Sequence, residues 1–138
     1  MNVALIAEDS KKELMTQFCI AYCGILSHHD LFATRTTGNI VTDATGLKIN
    51  CLLPGRDGDE QIAARCAYNE IDLVLLFHDT TDMDDYFYKY KNIIMNCDKN
   101  NIPLATSVAT AEVLVLGLSR GDLAWREIVN PQFKPGRN

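Results

Sequence analysis

The sequence predicts an α/β fold in which a parallel five-stranded sheet carries helices on both faces, as a three-layer sandwich. Short runs that are apolar throughout, such as VALIA (3–7) and DLVLLF (72–77), are typical of strands buried on both faces. Such runs alternate about five times with stretches of helical character, which is typical of parallel strands joined by crossover helices. In folds of this class, ligands bind beyond the carboxyl ends of the strands.

The first helix is predicted from the segment that follows VALIA. Ser10 and Glu13 stand in the S-x-x-E arrangement of a capping box, which opens a helix. Apolar residues at helical spacing then form one face of this helix. The members of this face are Leu14, Phe18, Ala21 or Tyr22, and Ile25.

Two strands and two helices are predicted in the middle of the chain. LFAT (31–34) and KINCLL (48–53) have the composition of short strands. Between them, TTGNIVTDATG (36–46) predicts a helix with a threonine as N-cap and the final glycine as its C-terminal stop. PGRDG (54–58) predicts a turn, and a helix follows it to about Asn69.

The last third of the chain begins with DLVLLF (72–77), the most regular of the predicted strands. A helix is predicted over about 84–98, and IPLATS (102–107) is the fifth strand. The segment VATAEVLVLGL then predicts a helix that starts at Thr106 or Ser107.

Length and composition are those of a globular protein with one domain. We assign residues 1–130 to this domain and residues 131–138 to a polar tail. The net charge of −5 argues against non-specific binding to nucleic acid or to a membrane surface, but it allows a small anion in a local basic pocket. The N-terminal apolar run is too short for a signal peptide, and the five cysteines form no CxxC pair, which suits a cytoplasmic protein.

The predicted strand ends carry polar side chains that should meet at one rim of the sheet. Lys11 and Lys12 lie in the first turn of a helix, where a cation opposes the helix dipole unless an anion is bound there. Thr34, Thr36 and Thr37 add hydroxyl groups at the start of a second helix. Together these segments predict a phosphate-binding cradle, although each alone also fits solvated lysines or an ordinary threonine cap.

Three carboxylates, those of Asp9, Glu60 and Asp79, are predicted at the same rim. A carboxylate beside a phosphate cradle can remove a proton next to a carbonyl group. The alternative is that such acids only occupy helix N-termini, where the dipole favours negative charge. His78 has no nucleophile or second metal ligand at a suitable spacing, so no metal site is predicted.

Six segments together resemble the methylglyoxal synthase family over about residues 1–130. They are VALIAEDSKKELMTQF, LFATRTTGNIV, ATGLKI, LPGRDGDEQIAA, IDLVLLFHD and NIPLATSVATAE, of which ATRTTGN is the most specific. The resemblance implies a Rossmann-like sandwich that assembles as a homohexamer in the cytoplasm. It also implies that dihydroxyacetone phosphate is converted to methylglyoxal and inorganic phosphate, as a bypass of glycolysis, with no metal or organic cofactor.

The resemblance implies site residues of two kinds, those that match the family motif and those that depart from it. Matching phosphate-binding positions and acids are Lys12, Thr34, Thr36, Thr37, Gly55, Asp9 and Asp79. Departures are Glu8 for His, Arg35 for Gly, Pro54 for Ser, Tyr86 for His and Lys89 for Asp. The family's GGDQQ, matched to residues 58–62, puts Glu60 at the position of the catalytic base.

These departures leave three functions open. The first is a methylglyoxal synthase with a rebuilt acid–base set. The second is a family member that binds a phosphorylated metabolite or inorganic phosphate without turnover, as a sensor or a partner subunit. The third is an enzyme that acts on another phosphorylated substrate.

Overall fold

A computed structural model describes residues 1–129, so the predicted tail at 131–138 lies outside the described residues. Its strands are β1 (Asn2–Ala7), β2 (Asp30–Thr34), β3 (Ile49–Leu52), β4 (Leu73–Phe77) and β5 (Leu104–Ala105). All neighbours in the sheet pair in parallel, and the strand order is β3-β2-β1-β4-β5. The predicted parallel five-stranded sheet is therefore confirmed.

Helices cover both faces of the sheet, as predicted. They are α1 (Lys12–Ala21), α2 (Cys23–Leu26), α3 (Arg35–Thr45), α4 (Gly55–Ala67), α5 (Met83–Asn100), α6 (Val108–Arg120) and α7 (Trp125–Val129). One core joins the sheet to α1, α2, α3 and α6, and a second core joins its other face to α4 and α5. None of the helices in residues 1–129 has the length and apolar character needed to cross a membrane.

The side chains of β1 show how the strands serve both cores. Val3 and Leu5 point into the first core, and Ala4 and Ile6 point into the second. Successive side chains of a strand face opposite sides of the sheet, so a strand buried on both sides must be apolar throughout. This explains why the continuous apolar runs VALIA (3–7) and DLVLLF (72–77) predicted β1 and β4, whereas the strand predicted over 102–107 is reduced to Leu104–Ala105.

The start of the first helix differs from the prediction. Asp9–Lys11 form a 3-10 turn, α1 begins at Lys12, and neither flanking cap residue caps it through a side chain. The capping box predicted at Ser10 is therefore wrong. The later start also turns the helix, so that Leu14 is 38% exposed while Met15 is fully buried.

The strand order creates a crevice at one edge of the sheet. The chain runs from β1 outward through β2 and β3, then returns to add β4 on the other side of β1. The strand order reverses at β1, so the connections that leave β1 and β4 run to opposite sides. In folds of this class a ligand site forms beyond the strand ends at such a point. The Glu8 N–H donates to the Phe77 carbonyl at 3.1 Å, which holds the ends of β1 and β4 together at this point.

The opposite edge of the sheet is closed by Arg126 of α7, which the sequence did not single out. Its side chain is 1% exposed and donates to Asp72 Oδ1 at 3.2 Å, Asn69 Oδ1 at 2.7 Å and the Asn101 carbonyl at 2.7 Å. The guanidinium group thus ties α7 to the loops that precede β4 and follow α5. Its fixed fork of donors suits several fixed acceptors at once.

Candidate active site

A cavity of about 800 Å³ opens at the crevice, beyond the carboxyl ends of β1, β2 and β4. Its location agrees with the rim that the sequence predicted. Most of the predicted site residues line it, namely Glu8, Asp9, Lys12, Thr34, Thr36, Gly55 and Asp79. Thr37 lies directly behind this lining, where its hydroxyl accepts a hydrogen bond from Lys12 Nζ at 3.2 Å.

Lys12 is the innermost cation of the cavity. Its side chain is 16% exposed, and Nζ donates to the Ala7 carbonyl at the end of β1 at 2.7 Å. Nζ also lies 3.3 Å from Asp9 Oδ1, although the Asp9 side chain is fully exposed. The ammonium group is therefore held at the strand end, and within residues 1–129 the exposed Asp9 carboxylate is the only one in ion-pair contact with it.

The helices α3 and α4 both begin at the cavity without side-chain caps. Thr34 precedes α3 and Pro54 precedes α4, and neither N-cap residue makes a side-chain cap hydrogen bond. By contrast, Asp82 and Ser107 cap α5 and α6 in this way. The uncapped N–H groups at the starts of α3 and α4 suit an anion, because a helix N-terminus carries partial positive charge.

Two glycines allow α4 to begin so close to the cavity. Gly55 has a φ of +63°, a left-handed conformation that a residue with a side chain rarely adopts. A Cβ atom on Gly58 would lie 1.9 Å from the Leu53 carbonyl oxygen and 2.7 Å from Thr34 Cγ2. The first turn of α4 therefore packs directly on the end of β3 and beside Thr34.

Asp59 of α4 is the carboxylate that the structure brings into the cavity. Burial raises the pKa of Asp59 to about 6, opposed by the nearby positive charge of Lys12 and supported by the negative charges of Glu60 and Glu8. Lys89 also lowers this pKa. A carboxylate that titrates close to neutral pH is a stronger base than an ordinary one and is still mostly ionised at pH 7.

Glu60, which the sequence assigned as the base, does not line the cavity. Its side chain faces α5, where Oε2 accepts a hydrogen bond from Asn92 Nδ2 at 3.5 Å. Asp59 shares the inner face of α4 with Ile62 and Ala63, three and four residues later, whereas Glu60 is rotated away from that face. Matching the family's GGDQQ to residues 57–61 instead of 58–62 puts its Asp on Asp59, the acid that lines the cavity.

An ion-pair cluster of Lys89, Glu8 and Asp85 also lines the cavity. Lys89 Nζ lies 3.0 Å from Glu8 Oε2 and 3.0 Å from Asp85 Oδ2. The second oxygen of Glu8 accepts a hydrogen bond from the Asp79 N–H at 2.7 Å. Hydrogen bonds to Asp85 and to Glu8 raise the pKa of Lys89, so it stays cationic at neutral pH. Glu8 is thus a compensated charge and not an isolated anion.

Asp79 lines the cavity, but its carboxylate is engaged in the local loop. Oδ1 accepts hydrogen bonds from the Thr81 N–H at 2.9 Å and the Thr81 hydroxyl at 2.7 Å. These two bonds lower the pKa of Asp79, because they favour the ionised carboxylate. The Asp79 carboxylate therefore stabilises the loop after β4 and is poorly suited to proton transfer. The sequence had suggested a catalytic role for it.

Tyr86, predicted as a site residue, is turned away from the cavity. Its ring stacks on His78 at a centroid distance of 3.9 Å and packs beside Tyr90 at 5.8 Å. Because α5 begins at Met83, Tyr86 falls on the face that packs against the sheet. Tyr88 lines the cavity instead, with the Arg56 guanidinium 5.3 Å from its ring centroid.

Arg35 and Pro54 are the remaining predicted site residues outside the cavity lining. Arg35 is the first residue of α3 and is exposed. Pro54 is also exposed, and its extended backbone ends β3 just before α4. Within residues 1–129, no three His, Cys, Asp or Glu side chains are grouped so that they could hold a metal ion.

The sequence therefore did not predict Asp59, Arg56, Tyr88 and Asp85 as cavity residues. It also did not predict where the side chain of Lys89 lies. The spacing of Asp59 from Ile62 and Ala63 was the available signal for one of them. Arg56 and Tyr88 come from different helices, and no spacing within either helix indicates that their side chains meet.

Comparisons with known proteins give consistent results. The chain is 50% identical to a methylglyoxal synthase of Caldicellulosiruptor saccharolyticus, over 100% of this chain and 99% of that protein. It is 48% identical to a methylglyoxal synthase of a Thermoanaerobacter species, over 93% of this chain and 98% of the relative. A crystal structure of methylglyoxal synthase from Elizabethkingia anophelis matches with a TM-score of 0.72 at 29% identity, covering 83% of this chain and 76% of the other. No protein-family model matches the chain.

Proposed function

The chain belongs to the methylglyoxal synthase family, and we propose that it converts dihydroxyacetone phosphate to methylglyoxal and inorganic phosphate in the cavity beyond β1, β2 and β4. The observation that carries this proposal is the half-buried Asp59, whose pKa is raised to about 6 within electrostatic reach of Lys12. A poised base next to a phosphate-binding cation is what proton abstraction from a phosphorylated ketone requires.

The substrate phosphate would bind at the inner end of the cavity. Lys12 supplies a positive charge there, Thr34 and Thr36 supply hydroxyl groups, and the uncapped starts of α3 and α4 supply N–H donors. Asp9 is fully exposed, so it can swing away from Lys12 when a phosphate approaches. The phosphate would then replace a carboxylate as the partner of the ammonium group.

Asp59 would act on the carbon next to the carbonyl group. It takes the proton from the hydroxymethyl carbon, and the electrons of the broken C–H bond form an enediolate. The enediolate then expels inorganic phosphate by breaking the C–O bond on the other side of the former carbonyl carbon. The product is the enol of methylglyoxal, which takes up a proton on carbon to give methylglyoxal.

The test compares two adjacent acids of α4. Asp59→Asn removes the base without changing the shape of the side chain, and we expect phosphate release from dihydroxyacetone phosphate to fall by about 10²–10⁴-fold. Glu60→Gln is the matched control, and we expect its rate to stay within a few-fold of the unmodified protein because Glu60 lies outside the cavity.

Two outcomes would contradict the proposal. If Glu60→Gln abolished turnover and Asp59→Asn did not, the base would be misassigned. If the unmodified protein released no phosphate, the proposed reaction would fail. In that case binding of inorganic phosphate that depends on Lys12 would favour a family member that binds without turnover.

A second candidate is the same type of reaction on a larger phosphorylated substrate. It is favoured by the size of the cavity, about 800 Å³, which lies in the range of cavities that hold ligands larger than a three-carbon phosphate. Arg56 and Tyr88 at its outer end also offer polar contacts that a short substrate would not use. A screen of phosphorylated sugars and acids for phosphate release would identify such a substrate if its rate exceeded that of dihydroxyacetone phosphate.

Assembly as a homohexamer and a cytoplasmic location complete the proposal. Family membership supports both. Light scattering on the purified protein would test the assembly, and a mass equal to that of one chain of 15.4 kDa would contradict it.

A further inference from the structure

Two departures from the family motif contact each other in the cavity. The sequence resemblance matches Glu8 to a His of the motif and Lys89 to an Asp, and in the structure the two side chains meet at 3.0 Å. Both line the cavity, Glu8 from the end of β1 and Lys89 from α5. The two residues therefore act as one ion pair in the cavity lining, with the cation from α5 and the anion from the end of β1.

The geometry fixes the ammonium group of Lys89 and leaves it with a free donor. A lysine carries three N–H donors, and Glu8 and Asp85 each accept one at 3.0 Å. Among residues 1–129, Lys89 Nζ has no third hydrogen-bond or ion-pair contact. Glu8 is itself held by the Asp79 N–H at 2.7 Å, so the anchor of Lys89 is attached to the end of β4.

Lys89 also lies within electrostatic reach of the base. Both Lys12 and Lys89 act on the carboxylate of Asp59, one from the start of α1 and the other from α5. Lys12 is bonded to the end of β1 and to Thr37, at the end of the cavity where the phosphate would bind. Lys89 is thus the second cation that acts on Asp59, and it lies apart from the groups that hold Lys12.

We propose that Lys89 is a catalytic residue particular to this chain, which donates a hydrogen bond to the oxygen on which negative charge develops when Asp59 removes the proton. Glu8 is its positioning residue. During this step the electrons of the C–H bond move to the carbonyl oxygen, and Lys89 keeps its own protons while it stabilises the oxyanion. The inference rests on the proposed function and adds to it the group that stabilises the enediolate.

The kinetic test replaces Lys89 by Met, which keeps the length of the side chain and removes its charge. We expect kcat for phosphate release to fall by about 10²–10³-fold with KM changed much less, because the interaction forms only as charge develops. Lys89→Arg should retain more activity than Lys89→Met, and Glu8→Gln should lower kcat less than Lys89→Met. The matched control is Lys99→Met, an exposed lysine near the end of the same helix, which should leave kcat and KM unchanged.

A binding test examines the role of Lys89 without depending on turnover of the substrate. 2-Phosphoglycolate carries a carboxylate where the enediolate would have its oxygens, whereas inorganic phosphate lacks it. By titration calorimetry, Lys89→Met should raise the Kd for 2-phosphoglycolate at least about tenfold and the Kd for inorganic phosphate by less than about twofold. Lys12 holds the phosphate group of both ligands, so only the carboxylate loses a contact. Lys89 is 44% exposed, so the variant should remain folded, which its thermal unfolding would check.

The two tests fail in different ways. If the unmodified protein released no phosphate, the proposed function would be lost, and the preference for 2-phosphoglycolate over phosphate would still decide whether Lys89 binds the oxyanion. If Lys89→Met kept both that preference and a kcat within about threefold of the unmodified protein, the role given to Lys89 would be overturned.

Discussion

Asp59 lies in an environment that favours its uncharged form. Burial raises its pKa to about 6, although two lysines act in the opposite direction. The same burial that makes the carboxylate a stronger base also makes its ionised form costly in the folded protein. Function and stability therefore impose opposite demands on this one side chain.

Because ionised Asp59 destabilises the folded protein, we expect Asp59→Asn to change the free energy of unfolding by an amount that depends on pH. The folded pKa, about 6, lies above the unfolded value of about 3.9, so the stabilising contribution of the protonated group is complete below about pH 4 and is lost as the pH rises through 6. The amide never ionises, so at pH 7.5 we expect the variant to be more stable by about 1–2 kcal/mol, after allowing for partial solvent screening.

Urea unfolding at pH 7.5 and at pH 4.5 would measure this difference, which should shrink at the lower pH. Asp57→Asn is the control, because Asp57 lies exposed in the first turn of the same helix, where its negative charge interacts favourably with the helix dipole. Its loss should cost about 0.3–1 kcal/mol. An Asp59→Asn variant that was less stable than the unmodified protein at pH 7.5 would show that the carboxylate is not strained by burial.

Among the elements, α4 has the most constrained start. Its position depends on Gly55, with a φ of +63°, and on Gly58, which packs against the Leu53 carbonyl. This close packing turns the face that carries Asp59 toward the end of β1. A small displacement of α4 would move Asp59, the proposed base, relative to Lys12, and misplacement by about 1 Å can cost on the order of a hundredfold in rate.

Gly58→Ala tests the constraint on α4. The added Cβ atom would lie 1.9 Å from a backbone oxygen, so the helix must shift, and we expect a loss of about 1–3 kcal/mol in the free energy of unfolding together with a fall in kcat. Gly24→Ala is the matched control in α2, because a Cβ atom there meets nothing within 4 Å. That change should be neutral or stabilising by up to about 1 kcal/mol. Equal losses in the two variants would contradict the packing role of Gly58.

The strands and helices could be predicted from sequence better than the side chains of the site. Continuous apolar runs such as LVLLF (73–77) identify buried strands, and Gly46 ends α3 with a φ of +74°, as its residue type suggests. The rotation of α4 and α5 depends on where each helix begins. Each residue turns a helix by about 100°, so these starts decide which of the adjacent Asp59 and Glu60, and which of Tyr86 and Tyr88 two residues apart, faces the cavity.

At the scale of the whole molecule, the two edges of the sheet have separate roles. The carboxyl edge of the strands carries the cavity, and the amino edge is held by Arg126 with Asp72. The two side chains of this ion pair are 1% and 2% exposed. Its buried position could not be predicted, because an arginine normally lies at the surface unless it is paired, and its partners come from distant parts of the chain.

Arg126→Met should destabilise the protein by about 3–5 kcal/mol, because it leaves the Asp72 carboxylate buried without this cation. The control is Arg120→Met, since the ion pair of Arg120 with Asp122 is 62% and 54% exposed and should contribute only about 0–1 kcal/mol. Chemical unfolding would measure both losses. The kcat of the folded Arg126→Met protein should be retained, because the cavity lies at the other edge, and a fall in kcat at full folding would contradict this separation.

The Glu8–Lys89 pair has a consequence for how this chain can exchange residues with its relatives. The sequence resemblance matches Glu8 to a His of the family motif and Lys89 to an Asp. Replacing Lys89 alone by Asp would set an aspartate against Glu8, with Asp85 close by. Reverting Glu8 alone would set an imidazole against an ammonium group that had lost one of its two anchors. Each single step therefore passes through a less favourable pairing, and only the double exchange restores an opposite-charge contact. We therefore expect the effects of substitutions at Glu8 and Lys89 to be non-additive, which a double-mutant cycle would measure.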